Sequence, residues 1–329
     1  MTPSIQQAIL NFTGATQFEQ ESVIQSLWSG YGEILRLRCK GVSSAETVIA
    51  KYVSLPDTAN HPRGWNTNIS HQRKVCSYQV ECHWYQQFAE QCDDICRVPG
   101  CFGTLEDGQE FVMVLEDLDA AGFPVRVKDP QDQDIALCIR WLANFHAKFL
   151  GEHKAEGLWP VGTYWHLSTR PDELAVLADG DLKTFAAQID SRLSNCKWQT
   201  LVHGDAKLAN FCFSINRKQV AAVDFQYVGG GCGMKDLAYF ISSCLSEDEC
   251  EQYESDILDL YFSELQSAVK RLEKRVPFEE IEKEWRDLYP VSWTDFYRFL
   301  QGWSPGHWKI HAYSEKIAKQ TIAKLKASR

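Results

Sequence analysis

The chain has 329 residues, of which 44% are hydrophobic and 24% charged, and its formal net charge is −10 at pH 7. One hydrophobic core rarely organises a chain of this length, so we expect two domains or lobes. The acidic balance argues against a broad nucleic-acid-binding face. The sequence contains no apolar run near the roughly 20 residues that cross a bilayer and no leader-like start. We therefore expect a cytoplasmic protein that binds neither nucleic acid nor membrane.

The 12 cysteines lie singly on helix-like and strand-like segments, and no C-x-x-C pair occurs. The tightest group, formed by Cys92, Cys96 and Cys101, has no matching second cluster and no histidine at ligand spacing. We therefore expect reduced, mostly buried thiols and neither disulfides nor a zinc site.

The first third of the chain has the pattern of a β-sheet with one long helix. After a helix-like N-terminal segment, a glycine-containing turn leads into "EILRLRCK", and "TVIAKYV" follows as a second strand of the hairpin. The segment "LPDTANHPRGWNTN" is typical of a loop. "SHQRKVCSYQVECHWYQQFAE" then spaces its apolar residues by three and four positions, which predicts an amphipathic helix. "CFGTLEDGQEFVMVLEDL" predicts two strands around a Glu-Asp-Gly turn.

Helical patterns dominate beyond about residue 119. "DIALCIRWLANFHAKFLG" predicts a helix with His146 on its buried face, where a packed histidine is favoured over a catalytic one. Two strand-like pieces, "QTLVHGD" and "NFCFSINRKQVAAVDFQ", form the one small hairpin of this part of the chain. The glycine-rich "YVGGGCGMKD" that follows is interpreted as a flexible loop beside an acceptor site.

The stretch "LVHGDAKLANFCFS", residues 201 to 214, contains more than a hairpin turn requires. A turn accounts for Gly204 but leaves Asp205, Lys207 and Asn210 unexplained. Phosphoryl transfer would use all three, because a carboxylate can accept a hydroxyl proton, a lysine can meet phosphate charge and an asparagine oxygen can bind Mg²⁺. A second metal ligand, Asp224 in "VAAVDFQ", comes 14 residues after Asn210.

"HGDAKLAN" followed by "VDFQ" resembles the catalytic and metal-binding segments of the protein-kinase-like phosphotransferases, which include aminoglycoside phosphotransferases and choline kinases. Together with "VLEDL" and "KDLAYF", these segments look most like the ecdysteroid-kinase-like branch. The resemblance runs from about residue 28 to about residue 245. It implies an α+β, bilobal protein-kinase-like fold, with an N-terminal antiparallel sheet plus one helix over residues 1–117. A mainly helical catalytic lobe with a small catalytic hairpin would span residues 118–329.

The same resemblance implies the nucleotide-binding parts in chain order. Gly30 and Gly32 of "WSGYGEILRLR" would let the backbone approach the phosphates of ATP. Lys51 would contact the α- and β-phosphates and pair with Glu81, the only acid between residues 70 and 89. "MVLEDL" would be the hinge.

In the hinge, Glu116 and Leu118 would offer main-chain groups to the adenine edge. The side chains of Glu116 and Asp117 are expected to be solvated there. His203 is expected to brace the catalytic loop, and Asp236 in "GMKDLAYF" either to brace that loop or to cap the helix that begins beside it.

The resemblance implies an ATP- and Mg-dependent kinase that transfers the γ-phosphoryl group to a hydroxyl of a small molecule. Asp205 would orient and deprotonate the acceptor, Lys207 would offset charge on the transferred group, and Asn210 and Asp224 would hold Mg²⁺. A nucleotide-binding pseudokinase is the first alternative, although Lys51 and both aspartates are present. A protein kinase is less favoured, because the chain contains no A-P-E tripeptide.

The acceptor remains open at the level of the sequence. Aromatic residues are frequent between Trp293 and Tyr313, among them Phe296, Tyr297, Trp303 and Trp308. They are interpreted either as helix core or, as in choline kinases, as a cage that binds a quaternary ammonium through cation–π attraction. The acceptor would be a choline-like amino-alcohol or a bulkier, apolar alcohol. A monomer and a homodimer are both compatible with the pattern.

Overall fold

The structure is a computed structural model that describes residues 1–27, 30–41, 44–55 and 68–327. These residues form two compact units: Met1–Val125 with Cys212–Gln226, and Arg126–Phe211 with Tyr227–Arg329. The lobe boundary that the sequence placed after residue 117 stays a prediction. The loop predicted in "LPDTANHPRGWNTN" falls almost wholly outside the described residues.

The described strands are short in the second half of the chain and long in the first. They are β1 (Gln17–Ser26), β2 (Gly32–Lys40), β3 (Thr47–Ser54), β4 (Cys101–Asp107), β5 (Glu110–Glu116), β6 (Thr200–Val202), β7 (Phe211–Phe213), β8 (Val220–Ala222) and β9 (Gly229–Gly231).

The described helices range from six to 26 residues in length. They are α1 (Pro3–Thr13), α2 (Asn68–Gln87), α3 (Asp132–Lys148), α4 (Pro171–Val176), α5 (Asp181–Ser194), α6 (Met234–Ser242), α7 (Glu247–Arg271), α8 (Phe278–Trp303) and α9 (Ala312–Ala327).

The first unit is built on an antiparallel sheet of five strands in the order β1-β2-β3-β5-β4. Alternate residues of the inner strands point to opposite faces, as the period of two requires. One face packs against α1 and the other contributes to a cluster with Tyr78 of α2. The predicted sheet with one long helix is therefore confirmed, and α1 adds a second helix that covers the sheet.

The two strand-like pieces that were predicted to form one hairpin do not pair with each other: β6 pairs with β9, and β7 and β8 form a hairpin within the second piece. This hairpin of β7 and β8 packs within the first unit. Phe213 pairs with Val125, and the Ala222 amide donates to the Arg97 carbonyl at 3.0 Å. Leu118 and Phe123 cover the hairpin in a small apolar cluster. The segment that carries Asp224 is thereby fixed to the first unit, although it follows much of the second unit in sequence.

The second unit is mainly helical, as the sequence predicted. Helix α8 packs against α5, α6 and α9, while α3 packs along α7. Trp165, Tyr239, Phe296, Phe299 and Leu300 form an aromatic-rich core cluster in this unit. Much of the C-terminal aromatic stretch is therefore core.

The glycine-rich segment after Asp224 is a buried strand, so the prediction of a flexible loop was wrong. β9 pairs antiparallel with β6, with Gly229 opposite Val202 and Gly231 opposite Thr200. A Cβ atom on Gly230 would lie 2.3 Å from the His153 carbonyl oxygen. The glycines are present because backbone packs directly against backbone there.

All 12 cysteines are free thiols, and seven of the 12 are buried, which confirms the sequence prediction. In the part of the chain that the structure describes, no helix combines the length and the apolar character needed to cross a bilayer.

Candidate active site

The first unit contains the predicted ion pair between Lys51 and Glu81. Lys51 lies on the sheet face that packs against α2, on the same side as Val53, and Glu81 lies one turn after Tyr78 on that helix. The Lys51 Nζ and Glu81 Oε2 atoms are 2.7 Å apart, and both side chains are at most 5% exposed. Burial lowers the pKa of Lys51, but the negative charges of Asp224 and Glu81 outweigh it and raise the pKa above its usual value. Lys51 is therefore a fixed positive charge.

Asp224 joins this pair directly after β8. Its Oδ1 atom accepts hydrogen bonds from Lys51 Nζ at 3.0 Å and from Gln226 Nε2 at 2.8 Å. The Asp224 backbone has φ of +73°, in the left-handed region that a non-glycine residue adopts at a cost of about 1–3 kcal/mol. Such strain is typical of sites where a side chain must point in a set direction, and the Asp224 side chain keeps 29% of its surface exposed.

The turn between β1 and β2 includes both predicted glycines. Gly32 has φ of +138°, and a Cβ atom there would lie 2.1 Å from the Tyr52 carbonyl oxygen, so only glycine fits. Gly30 has φ of +75° and no neighbouring atom within 4 Å of a Cβ position. Trp28 and Ser29 of the same predicted turn lie outside the described residues. The open space beside Gly30 leaves room for a phosphate group.

The segment predicted as hinge begins in β5. The Glu116 amide donates to the Gly100 carbonyl at 2.8 Å, and the Leu118 carbonyl accepts from the Phe123 amide at 2.7 Å. The Glu116 amide and the Leu118 carbonyl therefore already have backbone partners.

The expectation of solvated side chains at the hinge was wrong. Asp117 is 4% exposed and accepts hydrogen bonds from Arg36 Nε and Thr47 Oγ1, each at 2.8 Å. Burial raises the pKa of Asp117, but these donors outweigh it and hold the pKa below its usual value. Glu116 pairs with Arg97 at 2.6 Å. The partners lie far away in sequence, so the local pattern gave no sign of them.

The second unit holds the loop that contains Asp205, Lys207 and Asn210. It follows β6 and ends in a short 3₁₀ helix, Leu208–Asn210. Lys207 Nζ lies 2.9 Å from Asp205 Oδ2, and Asn210 Nδ2 donates to the same oxygen at 3.2 Å and to the Asp205 carbonyl at 2.8 Å. The structure thus brings the three predicted residues together around one carboxylate.

This loop is braced by His203 and Asp236. The Asp205 amide donates to His203 Nδ1 at 3.2 Å, which is the supporting role predicted for the histidine. The buried Asp236 carboxylate accepts from the amides of His203 at 2.5 Å and Gly204 at 2.9 Å, and lies 3.1 Å from His146 Nε2. Of the two roles considered for Asp236, bracing is the one observed. His146 is fully buried, as predicted.

A cavity of about 270 Å³ lies beside this loop within the second unit. Its walls are the aliphatic or polar residues Lys207, Leu208, Ala209, Ser243, Leu300 and Lys309 together with the rings of Tyr164, Tyr239, Phe296, Trp303, His307 and Trp308. Burial, and then the negative charge of Asp205, raise the pKa values of Tyr164 and Tyr239. Lys207 lines the cavity and pairs with Asp205, so the predicted catalytic carboxylate lies one side chain away from the cavity.

Sequence reasoning missed Lys309 in this cavity. Lys309 follows α8 in "GHWKIH", where a lysine beside a tryptophan in an aromatic-rich segment was the available signal. Its side chain is buried among rings, with Nζ 4.4 Å from the centroid of Tyr239. Burial lowers the pKa of Lys309 to about 7, although the charge of Asp205 acts in the opposite direction.

The donor set for Mg²⁺ fits the chemistry of that ion. Among the described residues, no cluster of three or more His, Cys, Asp or Glu side chains could bind a metal by itself. Mg²⁺ commonly uses only one or two protein oxygens and completes its shell with water and substrate phosphates. Asp224 offers a carboxylate oxygen and Asn210 an amide oxygen, which are ligand types of this kind.

Comparison with known proteins agrees with the architecture. Choline kinase from Cryptosporidium parvum Iowa II is 10% identical to the chain with a TM-score of 0.58, and the alignment covers 99% of this chain and 96% of that one. The microcompartment-associated aminopropanol kinase is 14% identical with a TM-score of 0.49, over 99% and 95% of the two chains. The chain has the fold of the protein-kinase-like small-molecule kinases.

Residues 168–274 match the family model described as the ecdysteroid kinase-like family. No curated protein sequence matches the chain. The matched region contains the loop with Asp205 and the segment with Asp224, but not Lys51, Glu81 or "VLEDL".

Proposed function

We propose that the protein is an ATP- and Mg-dependent phosphotransferase that phosphorylates a hydroxyl group of a small molecule. The observation that carries the proposal is the Asp205 carboxylate, which is held by Lys207 and Asn210, together with a cavity of about 270 Å³ that is lined by the same Lys207. A carboxylate in this position can accept the proton of an acceptor hydroxyl bound in the cavity. Lys207 lies where it can offset negative charge on the group being transferred.

The first unit would supply the nucleotide-binding residues. Lys51 is a buried, charged group that can bind phosphate oxygens, and Glu81 keeps it in place. When bound, Mg²⁺ would neutralise phosphate charge, with Asp224 and Asn210 as its protein ligands. Gly30 and Gly32 would let the backbone approach the phosphates closely. The hinge residues Glu116 and Leu118 would present main-chain groups to adenine.

The pseudokinase alternative receives less support. A scaffold that only binds nucleotide would be expected to have lost Lys51, Asp205 or Asp224. None of the three is lost, and each makes a side-chain hydrogen bond. A cavity beside Asp205 also has no purpose in such a scaffold. We therefore favour an enzyme.

The experiment is an ADP-release assay with ATP, Mg²⁺ and a panel of hydroxylated metabolites. We expect acceptor-dependent ADP formation by the wild-type protein and a loss of at least about 100-fold in Asp205→Ala, because general-base catalysis contributes 10²–10⁴-fold. Asp179→Ala is the matched control, since that aspartate is 98% exposed. ATP with Mg²⁺ should still bind to Asp205→Ala. Full turnover in that variant would refute the assignment of Asp205.

A further inference from the structure

The cavity beside Asp205 already contains a basic side chain, Lys309, which carries its positive charge below its pKa of about 7. Lys309 is 7% exposed, and its Nζ atom lies 4.4 Å from the ring centroid of Tyr239 and 5.5 Å from the centroids of Phe296 and Trp308. These distances are typical of cation–π contacts, which contribute about 0.5–2 kcal/mol. The aromatic faces that could surround a ligand's ammonium group are therefore occupied by a side chain of the protein itself.

Lys309 differs from the other buried cations of the second unit. Arg298 pairs with Asp295 at 2.8 Å, Arg170 pairs with Glu173 at 2.9 Å, and Lys235 donates to the Gly162 carbonyl at 3.2 Å. Within the described part of the chain, the Lys309 ammonium makes its contacts with rings and has no hydrogen-bonded oxygen partner. Buried charges in proteins are normally paired, because an unpaired one is costly.

The charges around the cavity favour an anion as the missing partner. Lys207 lines the same cavity, so two ammonium groups border it. Asp205 contributes one negative charge, and it already pairs with Lys207. A cationic ligand would meet like charge at Lys309, whereas an anionic group would form a charge-assisted hydrogen bond with it.

We propose that the acceptor is a compact alcohol that also carries an anionic group, and that Lys309 binds this group while the hydroxyl is presented to Asp205. The inference rests on the proposed function and specifies its substrate class. The cavity volume of about 270 Å³ lies below the roughly 300–1,000 Å³ of pockets for drug-sized ligands, so a bulky apolar alcohol is disfavoured. A choline-like acceptor is disfavoured because Lys309 occupies the aromatic faces.

The test compares acceptors with the same carbon chain and different ends: an ω-hydroxycarboxylate, its amide, its phosphate-ester analogue and the corresponding amino-alcohol. We expect the wild-type kcat/KM to be highest for an anionic acceptor and lowest for the amino-alcohol. The ratio of kcat/KM for the ω-hydroxycarboxylate to that for its phosphate-ester analogue shows which anionic group the protein prefers. A wild-type preference for the amino-alcohol would overturn the proposal.

Lys309→Met tests the residue itself, because methionine keeps the length of the side chain without its charge. KM for the preferred anionic acceptor should rise about 10- to 100-fold, while KM for the amide should change little. Lys309→Arg should restore part of the affinity. Lys319→Met on the exposed face of α9 is the matched control and should behave as the wild type does. Unchanged anion preference in Lys309→Met would also overturn the proposal.

A binding measurement separates this inference from the proposed function. Calorimetric titration of Asp205→Ala with the same compounds requires no turnover. If no compound supports ADP formation but an anionic one binds in a Lys309-dependent way, the proposed function fails and the anion site stands. If no anionic compound binds more tightly than its amide, the anion site is refuted whatever the ADP assay shows.

Discussion

Lys51 and Glu81 show how one residue depends on another inside an apolar layer. The ammonium and the carboxylate are both buried, so each compensates for the lost hydration of the other. Removing one partner leaves the other as an uncompensated charge. The pair should therefore behave as a unit in measurements of both stability and nucleotide binding.

Lys51→Met should lower the free energy of unfolding by about 3–5 kcal/mol, because it leaves Glu81 buried without its cation. Lys51→Met combined with Glu81→Leu should recover much of that loss. Urea unfolding of the wild type, both single variants and the double variant gives the coupling energy. Additive effects of the two substitutions would contradict the interdependence of these residues.

Lys309 poses the opposite problem, since burial of its ammonium is not offset by an ion pair. Its pKa is lowered from 10.5 to about 7 by burial, with Asp205 and Cys244 acting upward and Lys207 downward. The unfolded chain thus binds more protons than the folded protein between these pH values, so the free energy of unfolding should rise with pH across that window. Below about pH 7 both states carry the charge and the full cost of burial applies.

Lys309→Met should therefore stabilise the protein at pH 6.5 by up to a few kcal/mol, since one pKa unit corresponds to about 1.4 kcal/mol. The gain should shrink toward pH 10, where the folded and unfolded states are nearly alike in charge at this position. Urea unfolding of the wild type and Lys309→Met at pH 6.5, 8 and 9.5 measures this gain in the free energy of unfolding. A gain that is independent of pH would mean that Lys309 does not titrate as described.

At the scale of elements, hydrophobic spacing predicted most of the first unit. Burial largely alternates along strands β2 and β3, and Lys51 and Glu81 stand out because they are charged residues among apolar neighbours. β9 was missed because its glycines have no side chains that could form a pattern. Its pairing with β6 depends on close contact between backbones, which no local signal encodes.

Gly230→Ala should lower the free energy of unfolding by about 1–3 kcal/mol, because its Cβ atom would meet the carbonyl oxygens of His153 and Pro160. Gly180→Ala is the control, since a Cβ atom there meets nothing within 4 Å. Thermal and urea unfolding of the two variants are compared. Equal stability of both variants would show that β9 tolerates side chains and is not packed as described.

At the scale of the whole molecule, the sequence predicted the class of fold, because the loop with Asp205 and the later segment with Asp224 form a specific pattern. The roles assigned to these residues stay predictions. Asp117 and Lys309 escaped prediction for a physical reason. Asp117 contacts Arg36, and Lys309 contacts Tyr239, across separations that only the folded chain brings together. Pairing between distant residues follows from tertiary packing and not from local spacing.

Nucleotide binding should stabilise the whole molecule only when Mg²⁺ is present. At a ligand concentration of 100 times Kd, the gain is about 2.7 kcal/mol, which corresponds to a rise of several degrees in Tm. EDTA should abolish the rise, and Asp224→Asn should abolish most of it even with Mg²⁺. An equal rise in Asp224→Asn would exclude Asp224 as a metal ligand.

The hairpin that ends in Asp224 also has a consequence for synthesis on the ribosome. The Phe225 ring stacks on Trp84 at 4.6 Å within the first unit, yet Cys212–Gln226 leaves the ribosome only after residues 126–211. The core of the first unit therefore cannot be completed while only residues 1–125 have been translated. A fragment that stops at Val125 should expose Trp84 and associate with chaperones. Co-expression of that fragment with residues 126–329 supplies the missing segment Cys212–Gln226 and should reduce this association.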